Sequence, residues 1–279
     1  MSKAKKDHSR EIGLEIGSIC GKYFLDLEHL HYGYWAEGLD VNIHNVAKAQ
    51  DNYVNFLLSH IPEGVKSVLD VGCGSGHVSR RLLDKGYSVD CVSPSVYLSE
   101  KTREQVGDSA EIFECTYEQL DTDKKYDLIL FSESFQYIKL DQAINKTLSM
   151  LNEGGHMLIC DFFKRDIEEK SVFSGGHKLN KFNDALAGSD FDVVEDIDIT
   201  QYTAPTIDLM GDVLDNVGKP VLDTFMDFVE GRHPTIYKIV TWKFRKQMDK
   251  IDQKYFQGKR TAAEFSRAKS YRLVLCKKK

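Results

Sequence analysis

The chain has 279 residues, of which 42% are hydrophobic and 11% aromatic, enough for a sizeable core and enough to exclude a disordered chain. No apolar run approaches the roughly 18 residues of a membrane span, and the first residues lead into no hydrophobic signal stretch. Because the six cysteines have no CxxC pair or framework spacing, we expect a soluble, cytoplasmic protein without zinc sites or disulfides.

The charge is unevenly distributed along the chain, although the net value is only −6. Residues 238–279 contain 14 basic and three acidic residues, whereas residues 1–237 contain 23 basic and 40 acidic residues. An acidic body argues against general nucleic-acid binding, and the basic end indicates either an anionic partner or a solvated face.

The predicted elements begin with a polar segment over residues 1–10, which we expect to fray. A helical pattern then runs from Glu11 to His60, interrupted by the aromatic segment over residues 31–35. Short apolar runs then alternate with helical patterns at the spacing of βαβ units, which predicts a parallel sheet wrapped by helices. The predicted strands are Val65–Val71, Tyr87–Val92, Ala110–Cys115, Tyr126–Phe131, Gly155–Asp161 (entered through a turn at Asn152–Gly155), Phe191–Ile199 and Ser270–Cys276. The predicted helices of this region are Val78–Asp84, Ser95–Val106, Asp141–Leu151 and Lys178–Leu186.

A long helical insert is predicted before the last strand. Pro205 and Pro220 suit the first turns of helices, and Gly218 and Gly231 suit helix ends. A basic amphipathic helix is predicted over residues 234–256, which indicates either contact with a membrane surface or a core stripe with solvated lysines.

The pattern Thr261-x-x-Glu264 predicts a capping box for one more short helix. The whole pattern divides the chain into four predicted segments. They are an N-terminal helical cap or lid (1–60), a cofactor-binding core (61–200), a helical acceptor-site insert (201–269), and the last core strand with a basic tail (270–279).

The most informative segment is Val-Leu-Asp-Val-Gly-Cys-Gly-Ser-Gly over residues 68–76, which follows a predicted strand and opens a helix. Its glycines allow the backbone to approach a ligand closely, and Asp70 offers an acceptor for a cationic amine. A dinucleotide site of the GxGxxG type requires glycine at position 77, where this chain has His77, and a P-loop requires Gly-Lys-Ser/Thr, which is absent. A nicotinamide dehydrogenase is therefore disfavoured.

This segment resembles the first motif of class I S-adenosylmethionine-dependent methyltransferases, (V/I)LDxGCGxG, and the order of motifs is similar over residues 25–200. The resemblance implies a Rossmann-like, doubly wound, mostly parallel seven-stranded sheet with an N-terminal helical lid and a helical insert before the last strand. It also implies S-adenosylmethionine as cofactor, held at its amino-acid end by Asp70, Gly72, Gly74 and Gly76.

Further cofactor contacts are implied at the ends of the next strands. Ser93 stands where many members have an acidic residue for the ribose, a departure familiar in the cyclopropane-lipid, sterol and sugar methyltransferase branch. Thr116, with Tyr117 beside it, matches the position that bonds the adenine amine, and Ser132 lies where the fourth strand ends under the sulfonium.

The aromatic segment His31-Tyr-Gly-Tyr-Trp35 looks like the H(Y/F)GYW segment of tocopherol, sterol-related and sugar O-methyltransferases, where it caps the cofactor. Aromatic faces stabilise cations, so Tyr34 is the predicted cofactor contact. Tyr32 and Trp35 are the predicted acceptor contacts nearer the mouth of the site. Ordinary packing of the N-terminal helix is the alternative.

A general base is harder to assign, because Gln136 and Tyr137 stand where several relatives have histidines. Glutamine takes no proton at neutral pH, so Gln136 is predicted to contact the acceptor. Glu133, His31 and Tyr137 remain as candidate catalytic residues, unless the acceptor needs no base. Metal dependence is not expected, since only Asp161 is suitably placed among the carboxylates that metal-dependent members use.

The function that follows is S-adenosylmethionine-dependent methylation of a small-molecule acceptor by in-line displacement under an aromatic lid. The acceptor is expected to be an isoprenoid, lipid or glycoside, anionic or lipidic. Lipid C-methylation or cyclopropanation and phosphobase N-methylation remain as alternatives. A catalytically silent fold that binds the cofactor to regulate a partner is the alternative from another class.

Overall fold

The computed structural model describes residues 15–169 and 171–279. The predicted frayed segment 1–10 and the first residues of the predicted helical cap lie outside these ranges. The chain divides into two compact units. The first contains the chain up to Asp166 with Gly175–Thr203 and Ser270–Lys279, and the second contains Ile167–Ser174 with Ala204–Lys269.

The first unit is built on a seven-stranded sheet with the order β3-β2-β1-β4-β5-β7-β6. Its strands are β1 (Ser67–Val71), β2 (Ser88–Val92), β3 (Ile112–Phe113), β4 (Tyr126–Ser132), β5 (Leu151–Lys164), β6 (Phe191–Asp198) and β7 (Lys269–Lys278). The pairings from β3 to β5 are parallel, and β6 pairs with β7 antiparallel. The predicted fold class is therefore confirmed, and the strand order reverses between β1 and β4, where such sheets bind ligands.

Helices separate the strands of this unit, as the βαβ spacing predicts. They are α1 (residues 15–25), α2 (Val46–Ser59), α3 (His77–Asp84), α4 (Val96–Val106), α5 (Leu140–Met150), α6 (Leu179–Ala187) and α7 (Thr200–Thr203). Ser95 begins α4 as an N-cap whose hydroxyl accepts from the Leu98 amide at 3.3 Å. Strand residues such as Leu69, Ile129 and Met157 are fully buried between the layers and hold the strand ends in place.

The predicted turn at Asn152–Gly155 is wrong in one respect, because these residues lie within β5. Leu151 pairs with Tyr126 and His156 pairs with Leu128, so β5 has extra residues against β4 and forms a bulge there. Gly154 has a φ of +67°, which an L side chain rarely adopts. The glycines therefore produce a bulge in a longer strand rather than a turn before a shorter one.

The second unit consists mainly of helices α8 (Pro205–Val213), α9 (Lys219–Arg232), α10 (Pro234–Tyr255) and α11 (Ala262–Ala268). A proline stands in the first turn of α8, α9 and α10, as predicted. No helix in the part of the chain that the structure describes is long and apolar enough to cross a bilayer.

Two predicted helix ends in the second unit are wrong. Gly218 closes a π-helical turn over Leu214–Gly218 that leads directly into α9, and Gly231 lies inside α9. Thr261 caps α11, because its hydroxyl accepts from the Glu264 amide at 3.1 Å, which is the N-cap half of the predicted capping box. The Glu264 carboxylate accepts instead from the Arg267 guanidinium at 2.7 Å.

Candidate active site

The glycine loop joins the carboxyl end of β1 to α3. Gly72, Gly74 and Gly76 all have left-handed φ angles of +77°, +61° and +85°. A Cβ on Gly72 would lie 2.4 Å from the Ser134 Cβ, and one on Gly76 would lie 2.7 Å from the Thr102 Cα, so packing requires both glycines. A Cβ on Gly74 would meet no atom within 4 Å. The backbone at Gly74 is therefore open to a ligand.

Asp70 lies on β1 just before this loop and is fully buried. Its Oδ2 accepts from the Ser79 hydroxyl of α3 at 2.6 Å, which joins the strand to the helix that follows the loop. Burial raises the pKa of Asp70 to about 6, and the bond from Ser79 acts against that rise. Positive charge next to this carboxyl group would favour its ionised form.

Ser93 follows β2 and is buried, and its Oγ accepts from the Ser95 amide at 3.4 Å. Asp90, the carboxylate nearest in sequence, accepts from the Lys124 ammonium at 2.8 Å and from the Tyr126 hydroxyl at 2.9 Å. Asp90 is thus occupied by structural partners, which leaves Ser93 as the polar residue at the end of β2.

Thr116 and Tyr117, the predicted adenine-side residues, differ in their surroundings. The Thr116 hydroxyl donates to the Gln119 Oε1 at 3.2 Å near the surface. The Tyr117 ring packs edge-on against Phe131, and its hydroxyl lies 3.0 Å from the Thr147 Oγ1. These contacts place Tyr117 in the hydrophobic core, whereas Thr116 keeps an accessible position.

The segment over residues 28–35, named here the lid segment, includes the predicted aromatic segment and is held by hydrogen bonds between its backbone and side chains of the rest of the first unit. The Ser75 hydroxyl of the glycine loop donates to the Glu28 carbonyl at 2.9 Å. The Gln50 side-chain amide of α2 donates to the carbonyls of His29 and His31 at 3.2 and 2.7 Å. The Tyr32 amide donates to Glu133 at 2.8 Å. The predicted lid segment therefore spans from the glycine loop to the end of β4.

Glu133 lies directly after β4, and its backbone φ is +55°, a strained value for a residue with a side chain. The Glu133 amide donates to the Cys160 carbonyl of β5 at 2.9 Å, which stabilises this conformation. Its Oε1 accepts from the Tyr271 hydroxyl at 2.6 Å as well as from the Tyr32 amide. Burial raises the pKa of Glu133 to about 8, although both bonds act in the opposite direction.

Tyr53 and Tyr271 extend this group of polar atoms below the lid. The Tyr53 hydroxyl lies 3.0 Å from the Ser132 Oγ and 3.4 Å from the Tyr271 hydroxyl. Burial raises the pKa of both phenols, so both stay protonated and donate hydrogen bonds at neutral pH. Ser132, a predicted cofactor contact, is thereby connected to Glu133 through two tyrosines.

Gln136 and Asp161 form a second polar pair at the ends of β4 and β5. The Gln136 backbone and side-chain amides donate to the Asp161 carboxylate at 3.0 and 3.1 Å, and the Phe162 amide donates to it at 2.7 Å. Burial raises the pKa of Asp161 to about 7. Tyr137 is exposed at the surface beside this pair. Gln136 therefore orients Asp161, a role that the sequence does not indicate.

Three histidine rings lie in a row between the lid segment and the start of α3. The ring centroid of His29 is 4.6 Å from that of His31 and 5.5 Å from that of His77. Burial lowers the pKa of His29 to about 2 and that of His31 to about 4, so both rings are neutral at pH 7. The His31 Nδ1 donates to the Tyr32 carbonyl at 2.8 Å, which leaves its buried Nε2 as an acceptor with no partner.

Tyr34 and Trp35 occupy positions away from this row. The Tyr34 ring stacks between Phe56 and Tyr202, with both centroids 4.8 Å away. Trp35 is only 5% exposed, and its amide donates to the Tyr202 carbonyl at 2.8 Å. The predicted cofactor contact of Tyr34 and acceptor contact of Trp35 stay predictions, while His31 and Tyr32 are the lid residues found beside Glu133 and Tyr53.

The residues present fit the amino-acid end of S-adenosylmethionine. The open backbone at Gly74 accepts a close ligand, Asp70 is a buried carboxyl group at the loop, and the His31 Nε2 is a buried acceptor without a partner. An ammonium group is a donor that suits such acceptors. No cluster of three or more metal-ligating side chains occurs among the residues described.

Sequence reasoning missed several residues of this group, namely His29, Gln50, Tyr53 and Tyr271. The helical pattern marks Tyr53 only as a core position, and strand alternation does the same for Tyr271. The Tyr53 hydroxyl of α2 reaches Ser132, and the Tyr271 hydroxyl of β7, which is separated from β4 by β5, reaches Glu133. Both contacts depend on tertiary structure alone.

A family model described as a methyltransferase domain matches residues 10–195. The chain is 26% identical over 206 residues to an uncharacterized methyltransferase of Geobacillus thermodenitrificans, which covers 71% of this chain and 89% of that protein. It is 29% identical over 123 residues to a malonyl-[acyl-carrier protein] O-methyltransferase of Acetivibrio thermocellus, which covers 42% of this chain and 44% of that protein.

Among solved structures, the fold is similar to geranyl diphosphate C-methyltransferase from Streptomyces coelicolor in complex with Mg²⁺, geranyl-S-thiolodiphosphate and S-adenosyl-L-homocysteine. The TM-score is 0.63 at 15% sequence identity, and the alignment covers 95% of this chain and 92% of that chain.

Proposed function

The chain belongs to the methyltransferase domain family and is an S-adenosylmethionine-dependent enzyme acting on small molecules; from this premise we propose that it methylates a hydroxyl group of an amphipathic isoprenoid, lipid or glycoside, with Glu133 as the general base. The observation that supports this most is the buried Glu133 carboxyl group at the end of β4, under the lid segment and one strand away from the glycine loop.

The cofactor supplies an activated methyl group that is transferred by in-line displacement. Gly74 leaves the loop backbone open to it, while Gly72 and Gly76 allow the loop to pack against Ser134 and Thr102. Asp70 and the His31 Nε2 would accept hydrogen bonds from its ammonium group, and Ser93 and Thr116 would bind its ribose and adenine ends. The lid segment excludes water from the space above β4, which strengthens every electrostatic interaction there.

Glu133 is the residue best placed to take the acceptor's proton. Its pKa of about 8 is near neutral pH, and a general base is most effective when its pKa is near the pH of the reaction. Positive charge next to the carboxyl group lowers this pKa and favours the carboxylate. The Tyr271 hydroxyl and the Tyr32 amide hold Oε1, so that Oε2 receives the proton.

A second candidate is methylation of an alkene carbon, which passes through a cationic acceptor. Three aromatic rings near Glu133 favour it: the centroid of Tyr271 lies 5.7 Å from that of Tyr32 and 6.4 Å from that of Phe162. Aromatic faces and a carboxylate stabilise a carbocation. The two candidates differ in the atom that receives the methyl group.

The test is turnover of ¹³C-methyl-labelled S-adenosylmethionine with prenyl alcohols, prenyl diphosphates, fatty acids and glycosides, followed by NMR of the product. We expect a methyl ether, and the Glu133→Gln variant should lose about 10²–10⁴-fold in kcat with unchanged S-adenosylhomocysteine affinity. Glu63→Gln, an exposed carboxylate, is the matched control. A methyl group on carbon favours the second candidate, and cofactor binding without turnover of any class contradicts both.

A further inference from the structure

Helix α10 in the second unit exposes large apolar side chains together with many cations. Its sequence contains six basic and two acidic residues. Trp242 is 81% exposed, and Ile236 and Ile239 are 53% and 56% exposed. Tryptophan is large and apolar, and its exposure on this scale is unusual for a surface that meets only water.

The neighbours of Trp242 along the helix face are mostly cationic. In an α-helix the residues three and four positions away share a face, and for Trp242 these are Lys238, Ile239, Arg245 and Lys246. Among the residues that the structure describes, no ion pair involves Lys238, Arg245 or Lys246. These unpaired cations thus surround Trp242 and Ile239. We name this surface the Trp242 face (Lys238, Ile239, Trp242, Arg245 and Lys246).

The neighbouring helix α9 has a net negative charge, and its acidic residues lie on one face of the helix. Asp223, Asp227 and Glu230 recur at a spacing of four and three residues and so share one face, and Asp223 pairs with Lys219 at 3.3 Å. Phe225 and Phe228, which are also exposed, lie on the other face of this helix. The acidic stripe of α9 is therefore separated from its own apolar face.

We propose that the Trp242 face of α10 docks on an anionic lipid surface. Indole rings settle at the level of lipid headgroups, and lysine and arginine side chains around them meet the headgroup phosphates. The unpaired cations match the sign of an anionic leaflet. This inference does not depend on the identity of the acceptor.

The test is binding of the full chain to sonicated vesicles of phosphatidylglycerol and phosphatidylcholine, with vesicles of phosphatidylcholine alone as comparison. The chain has two tryptophans, and Trp35 is buried, so a shift of fluorescence to shorter wavelength reports on Trp242. We expect this shift with anionic vesicles and its reversal by salt. Trp242→Phe should abolish the shift, while sedimentation with vesicles persists more weakly.

Charge variants provide the quantitative part of the test. Neutralising Lys238 and Lys246 together to Gln should weaken vesicle binding about 25-fold, at about fivefold for each cation near the surface. The matched control neutralises the exposed Lys66 and Lys85 of the first unit and should leave binding unchanged. Equal effects of the two double variants, or no binding to anionic vesicles, would overturn the proposal. Concentration-dependent self-association that buries Trp242 without lipid would also overturn it.

Discussion

Replacing Glu133 by Gln tests the buried carboxyl group without changing the shape of the side chain. The folded protein raises the pKa of this group from its ordinary value of 4.5 to about 8, mainly through burial. Between these two values the unfolded chain loses its proton while the folded chain keeps it. Glu133 therefore makes the wild-type protein lose stability as the pH rises from 4.5 to 8, and this contribution is absent from the Gln variant, which has no proton to lose at this position.

The size of this effect follows from the pKa difference. One pKa unit corresponds to 1.36 kcal/mol, so the variant should gain up to about 5 kcal/mol of unfolding free energy relative to wild type between pH 4.5 and pH 8. The gain should grow by about 1.4 kcal/mol for each pH unit in this window and level off above it. Asp70, whose raised pKa also affects stability, is present in both proteins and cancels in the difference. The Asp161 charge contributes to the raised pKa of Glu133, so its interaction with Glu133 is part of the measured difference.

The assay is urea unfolding of both proteins at pH 5, 6, 7, 8 and 9, with the Glu63→Gln variant, which removes an exposed carboxylate, as the control. A difference between wild type and Glu133→Gln that stays constant over this range would refute the reasoning. It would mean that the carboxyl group is ionised in the folded protein, as it is when water reaches it.

Two further predictions concern the loop and the tyrosine pair. Gly76→Ala should cost about 2–4 kcal/mol of stability, because its Cβ would meet the Thr102 backbone. Gly74→Ala should cost only about 1–2 kcal/mol but weaken S-adenosylhomocysteine binding about tenfold, or about 1.4 kcal/mol, in calorimetry; equal affinities would place the ligand elsewhere. Tyr271→Phe should raise the pKa of Glu133 further, since the bond from this hydroxyl lowers it. NMR titration of a ¹³C-labelled carboxyl group measures this shift, and an unchanged pKa would contradict the hydrogen bond.

The sheet and the glycine loop are predictable because their signals are local. Val68 to Gly76 contains an apolar run, a carboxylate and three glycines within nine residues, and the left-handed φ angles at Gly72, Gly74 and Gly76 are the reason for those glycines. Bulges are less predictable, because the segment Asn152–Gly155 has the composition of a turn, and pairing with β4 makes it part of a strand.

The polar group around Glu133 could be predicted only in part. Glu133 and His31 are visible as candidates because they lie next to recognisable segments. Tyr271 is 138 residues away from Glu133 in the chain, and no local pattern connects the two. Tyr117 follows a strand end, as a ligand contact does, and its ring packs into the core, so its cofactor contact stays a prediction.

The position of β7 between β5 and β6 has a consequence for the timing of assembly. Glu133 and Tyr271 are separated by 138 residues, which take roughly 7–28 s to synthesise at about 5–20 residues per second. During that interval the nascent chain has the glycine loop and most of the sheet, but β6 has no partner and Glu133 lacks its phenol donor. The open edge of β5 is then available to other chains, so an N-terminal fragment ending before β7 should be prone to aggregation.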